Sequence, residues 1–251
     1  MNYEESVKHE MEKWRIELAS KPNLFKRMSK GTQNKVNALI PEKVHNFVTE
    51  SIKKMVQATL VGSYITTKKK QDIYGLTLEE KEKIVMSKID KYKRTAAVEG
   101  AGTGAGGILL GLADFPLLLS IKMKFLFDVC AAYGFNPRKY EERVFILYIF
   151  QLAFSSEKYR KETLAIIENW ELEKATLAKE DMDWRSFQQE YRDYIDLVKM
   201  LQMIPGLGAI VGAYANYNLL DHLGKTAMNC YRIRILQVSK WKEEKEGENN
   251  V

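Results

Sequence analysis

The chain predicts an all-α fold. The expected form is a single multi-helix domain over residues 1–240, packed around two glycine-rich apolar helical segments, with a polar tail over 241–251. Three observations carry this. Nearly every periodic stretch repeats its apolar residues at intervals of three and four, the spacing of one helical face. No stretch alternates long enough to read as a strand. Only five prolines occur in 251 residues, so breaks are few and loops short.

The elements follow in order. Residues 3–19 place Val7, Met11, Trp14 and Leu18 on one stripe. Pro41 suits the first turn of a helix running to about residue 60. That helix carries Val44, Phe47, Val48, Ile52, Met55, Val56 and Leu60 on its apolar face. Thr77 and Glu80 have capping-box spacing, and the helix they open would bury Ile84, Val85, Ile89 and Tyr92. Further helices are expected near 122–133, 137–154, 157–178 and 184–203, and a last one running to about residue 239.

The two glycine-rich runs differ in kind. The first, residues 100–121, spaces Gly100 from Gly104, Gly102 from Gly106 and Gly107 from Gly111 by four. The second, from Met203, does the same with Gly208 and Gly212. Such spacing lets helix backbones approach closely. A spanning helix needs about 20 mainly apolar residues. Asp114 and Pro116 interrupt the first run, and Asn216, Asn218 and Asp221 the second. The runs therefore read as a buried helical hairpin or an interfacial segment. Gly102-Thr-Gly104-Ala-Gly-Gly107 matches GxGxxG formally, but no strand precedes it, so a dinucleotide site is not supported. Gly224-Lys225-Thr226 resembles the end of a P-loop, yet Leu219 stands where the first glycine belongs.

Charge is uneven. The whole chain carries a formal +6. Residues 21–70 hold eleven Lys and Arg against Glu42 and Glu50, a local +9 that leaves −3 elsewhere. Lys43, Lys53, Lys54, Lys68, Lys69 and Lys70 mark this basic surface. It suits an anionic membrane surface or an acidic protein partner, or is simply a solvated face. Aromatic residues do not interleave with it, which argues against nucleic acid.

Catalytic chemistry is thinly supported. Two cysteines and three histidines exclude a disulfide scaffold and a dense Cys/His zinc site. Cys130 and Cys230 sit in apolar helical contexts and read as core. No metal or cofactor is implied. Glu99, Asp114, Asn216, Asn218 and His222 border or interrupt the glycine-rich runs and are the candidates for a shared polar pocket. Asp114 is also placed to cap the helix that follows it.

A family resemblance adds to this. Ser29-Lys-Gly-Thr-Gln-Asn-Lys-Val-Asn, Ile40-Pro-Glu-Lys-Val-His and Thr49-Glu-Ser-Ile-Lys resemble the opening of the EcsC family. The run from Gly100, Ala113-Asp-Phe-Pro, and Ile204-Pro-Gly-Leu-Gly-Ala-Ile-Val-Gly-Ala resemble its later signatures. The resemblance covers nearly the whole chain and implies a protein encoded with an ABC transporter in Gram-positive bacteria. It carries no catalytic role. The combined expectation is a non-enzymatic accessory, peripheral at the cytoplasmic face of the membrane, with transporter subunits among its partners. The alternative is a helical hydrolase of lipids or peptides using the polar pocket. No secretory signal opens the chain, which suits a cytoplasmic location. The sequence does not fix the oligomeric state.

Overall fold

A computed structural model describes residues 2–20, 42–64, 73, 75–104, 114–155, 157–177 and 209–248. Among these residues the chain forms eight helices. They are α1 (Tyr3–Ser20), α2 (Glu42–Leu60), α3 (Leu78–Gly104), α4 (Phe115–Ala132), α5 (Tyr140–Phe154), α6 (Glu157–Glu168), α7 (Trp170–Leu177) and α8 (Ala209–Glu248).

Local chemistry sets several boundaries. The Thr77 amide donates to Glu80 Oε2 at 2.8 Å, and the Glu80 amide donates to Thr77 Oγ1 at 3.3 Å. This reciprocal capping box opens α3 as its spacing predicts. Pro116 sits in the first turn of α4, where its missing N–H costs nothing, so α4 begins at Phe115 rather than near residue 122. Its far end closes at Gly134, whose φ of +94° favours glycine. There the Gly134 amide donates to Ala131 O and the Phe135 amide to Cys130 O, which satisfies the last free carbonyls. Asn169 breaks the helix expected over 157–178. Its carbonyl accepts from the amides of Leu172 and Glu173, and α7 starts afresh at Trp170.

α3 and α8 make the most extensive pairing, and they run antiparallel. Glu82 meets Arg232, Ile89 meets Gly224 and Lys93 meets Asp221, so later residues of α3 face earlier residues of α8. The approach is closest at Gly224, where a Cβ would lie 2.8 Å from Ile89 Cγ1. α4 is also antiparallel to α3: Tyr133 reaches Glu82 near one end, and Tyr92 packs on Phe125 and bonds Asp128 further along. α4 and α5 are apolar nearly all round and form the buried centre. Tyr231 of α8 lies in an aromatic layer, stacked on Tyr133 at 4.9 Å and Phe135 at 5.4 Å and edge-on to Phe145 at 5.3 Å.

This architecture corrects one expectation. The described core is not packed around two glycine-rich apolar helical segments. Of the two runs, residues 100–104 end α3, residues 114–121 span the start of α4, and residues 209–220 open α8; residues 105–113 and 203–208 lie outside the described residues. The described core is built from bulky side chains of α4, α5 and the middle of α3 and α8. The reason is physical: glycines bring no side-chain area to bury, and burial of apolar area drives folding. Nor is any described helix long and apolar enough to cross a membrane. α3 carries Glu79, Glu80, Glu82 and several lysines before its glycines, and α8 carries Asp221, Lys225, Arg232 and Arg234 along its length. The helix expected over 184–203 also lies outside the described residues. α8 itself continues to Glu248, through much of the stretch expected as a polar tail.

Candidate functional site

Two buried ion-pair clusters lie along α8. In the first, Arg232 donates twice to Glu82, through Nε at 2.7 Å and Nη2 at 2.6 Å. Tyr3 Oη donates to the same carboxylate at 2.6 Å, and Arg232 Nη1 also reaches Glu10 at 3.1 Å. Burial and the Glu82 carboxylate push the Tyr3 phenol up to about 12. In the second, Arg234 pairs bidentately with Glu142 at 2.6 and 2.7 Å and with Glu171 at 3.0 Å, its guanidinium lying over the Phe135 ring. In each cluster one guanidinium serves two carboxylates. These clusters join α1, α3, α5 and α7 to α8, and they account for their own polar groups.

A third cluster lies nearer the start of α8. Asp221 accepts from Lys93 and Lys225, each at 2.7 Å, and Lys93 stands over the Tyr217 ring. Burial works to raise the Asp221 carboxyl, but the hydrogen bonds from Lys225 and Lys93 outweigh it and hold it below the ordinary range.

Three of the five pocket candidates lie on α8, on two different faces. Asn216 is fully buried on the inner stripe of α8, which continues through Leu220, Leu223 and Ala227. Asn218 and His222 are exposed, on the opposite side of the same helix. His222 Nε2 meets Ala153 O at the end of α5, at 3.1 Å. Glu99 is half-buried near the end of α3. Asp114 occupies the position before α4. Its carbonyl accepts from Leu118, while its side chain makes no capping hydrogen bond, contrary to the expected cap. Among the described residues, no group of three or more His, Cys, Asp or Glu side chains is placed to hold a metal.

The buried polar groups without partners are more telling. Lys122, in the middle of α4, is 0% exposed, and its Nζ has no hydrogen-bond partner among the described residues. Neither the oxygen nor the nitrogen of the Asn216 amide has one either. Burial pushes the Lys122 ammonium down to about 7. Most buried polar groups are hydrogen-bonded, so each such exception calls for an explanation. Lys122 did not stand out in the sequence. The available signal was its register: Leu118, Leu119, Leu126 and Val129, one and two turns away, are all apolar.

Of the basic surface, Lys43, Lys53 and Lys54 are exposed on α2, whose other side buries Val48, Ile52, Met55 and Val56. Phe47 is exposed on the same outer face, and Val61 is exposed just beyond the helix. Lys68, Lys69 and Lys70 lie outside the described residues.

The sequence profile of the EcsC protein family matches residues 5–236. The chain belongs to the EcsC family. Among its relatives, "Protein EcsC" of Bacillus subtilis (strain 168) is 54% identical over 224 residues, covering 89% of this chain and 92% of that protein. "Uncharacterized protein YdbA" of the same organism is 26% identical over 249 residues, covering 90% of each. No solved structure matches the chain. The family match spans the described helices from α1 to most of α8, so most of the ion-pair residues, Lys122 and Asn216 lie within it.

Proposed function

We propose that this EcsC-family protein is a non-enzymatic accessory that works peripherally at the cytoplasmic face of the membrane. The outer face of α2 would meet anionic lipid or a membrane protein, ABC transporter subunits being the partner that the family resemblance suggests. One observation carries the reading: Lys43, Lys53 and Lys54 project to solvent on the face that also exposes Phe47, with Val61 exposed at its end. Cations beside exposed apolar side chains suit a lipid interface, where charge attracts and the apolar groups insert shallowly. The hydrolase alternative needs a nucleophile held by a base, and neither thiol suits that role, because burial raises both Cys130 and Cys230.

Co-sedimentation with vesicles of phosphatidylglycerol and phosphatidylcholine tests this. Each lysine near an anionic surface contributes about 1 kcal/mol. Replacing Lys43, Lys53 and Lys54 together by Gln should therefore weaken binding by roughly two orders of magnitude. Salt at about 1 M, where the Debye length is near 3 Å, should do the same to the wild type. Phe47→Ser should leave the salt dependence in place and lower the binding that survives it. Equal pelleting with neutral and anionic vesicles would sink the charge argument. Crosslinking in native membranes, with transporter subunits as the expected product, tests the partner.

A further inference from the structure

We propose that Lys122 and Asn216 together hold the oxyanion of an acidic amphiphile, at the end of the bundle where α3 finishes and α4 and α8 begin. The first support is geometric. α4 and α8 both run antiparallel to α3, so they run parallel to each other, and Tyr133 stacked on Tyr231 fixes their offset. Moving back from that stack along both helices by equal steps brings Lys122 level with Leu220. Asn216 lies one turn further toward the N-termini, about 6 Å at 1.5 Å per residue. A lysine side chain spans a similar length, and helix side chains lean toward the N-terminus.

The second support is chemical. A lysine supplies donors only, and an asparagine amide supplies donors and an acceptor. All three of these nitrogen and oxygen atoms are buried and unpartnered among the described residues. The complement of such a set is an acceptor-rich group, a carboxylate or a phosphate, which would restore the missing hydrogen bonds as charge-assisted ones. The third support is the exposed apolar surface at this end of the bundle. Val98, Leu117, Tyr214 and Tyr217 are exposed on α3, α4 and α8 at this same end. Exposed apolar side chains at the same end as the buried Lys122 and Asn216 fit an anion that carries an alkyl chain. The site is separate from the α2 face and is tested without any membrane.

Isothermal titration with dodecanoate and with dodecyl phosphate, each below its micelle concentration, tests the proposal. Acetate and inorganic phosphate are the arms without a chain. The amphiphiles should bind the wild-type chain at least tenfold more tightly than acetate or inorganic phosphate. Lys122→Met and Asn216→Leu should each lose at least tenfold of that affinity. The unliganded Lys122→Met protein should melt higher than wild type, because a buried lysine is replaced by an apolar side chain of similar shape. Equal affinity in Lys122→Met overturns the proposal, as does binding of inorganic phosphate with no gain from the chain. A lower melting temperature for unliganded Lys122→Met also overturns it, by giving the lysine a structural role.

Discussion

Desolvation acts on single residues, and Lys122 is where it acts most clearly. With no partner among the described residues, its ammonium is disfavoured and its titration falls to about 7. The consequence for stability has a definite sign. Below pH 7 the lysine is protonated in both folded and unfolded chains, and the folded state bears the full cost of a buried cation. Above 7 the folded state sheds the proton, while the unfolded chain holds it until its ordinary value of about 10.4. Wild-type stability should therefore rise across that window relative to Lys122→Met, without ligand. The variant should be the more stable by up to about 4 kcal/mol near pH 6, and the gap should narrow by pH 9. Urea midpoints at the two pH values check this, and a gap that is constant with pH refutes it. The cysteines show the same physics with the opposite sign: burial raises both thiols, Cys130 to about 12, so neither is poised as a nucleophile.

Between elements, the decisive contact is the one that lets α3 and α8 approach. Glycine inside a helix ordinarily costs about 0.5–1 kcal/mol relative to alanine, so Gly224→Ala should stabilise if propensity ruled. Packing rules instead. The new Cβ would meet Ile89 Cγ1 at 2.8 Å and Cδ1 at 2.9 Å, atoms of a branched side chain held between two helices. Gly224→Ala should cost about 1–3 kcal/mol. In an Ile89→Ala background the same change should cost less, a coupling that thermal melts of the four proteins would measure. The element scale also separates what was legible in the sequence from what was not. The Thr77–Glu80 box and the buried stripe of α2 were readable because neighbours in sequence create them. The start of α4 is not legible, because Pro116 reads equally as a break or as a first-turn residue. Gly224 read only as a failed phosphate-loop remnant, because its role depends on Ile89 in another helix. The glycine-rich runs drew attention by composition, yet the described core lies mainly on side-chain-rich α4 and α5. At the candidate site, Asn216 was legible as a polar interruption of an apolar run. Lys122 is legible only through its register among Leu118, Leu119, Leu126 and Val129, because a long lysine can also reach solvent from an apolar stripe.

At the scale of the whole molecule, α8 collects the other elements. Arg232 binds Glu82 of α3 and Glu10 of α1, with Tyr3 of α1 on the same carboxylate and Tyr133 at the end of α4 approaching it at 3.4 Å. Arg234 binds Glu142 of α5 and Glu171 of α7. Neighbouring positions on one helix thus tie five others into the fold. A buried ion pair adds little over a well-packed apolar pair, but losing one partner strands a charge and costs about 3–5 kcal/mol. Arg232→Met should therefore destabilise strongly. For a chain of this size each kcal/mol moves the melting temperature by about 2–4 °C, so a fall of roughly 6–20 °C is expected. Because α1, α3 and α4 share the site, one cooperative transition should shift as a whole. Glu82→Leu in the Arg232→Met background removes the stranded carboxylate and should restore much of the loss. Calorimetry of the single and double variants distinguishes the cases. A double variant no more stable than Arg232→Met would mean that the hydrogen bonds from Tyr3 and Tyr133 to Glu82, rather than the matched charges, hold the helices together.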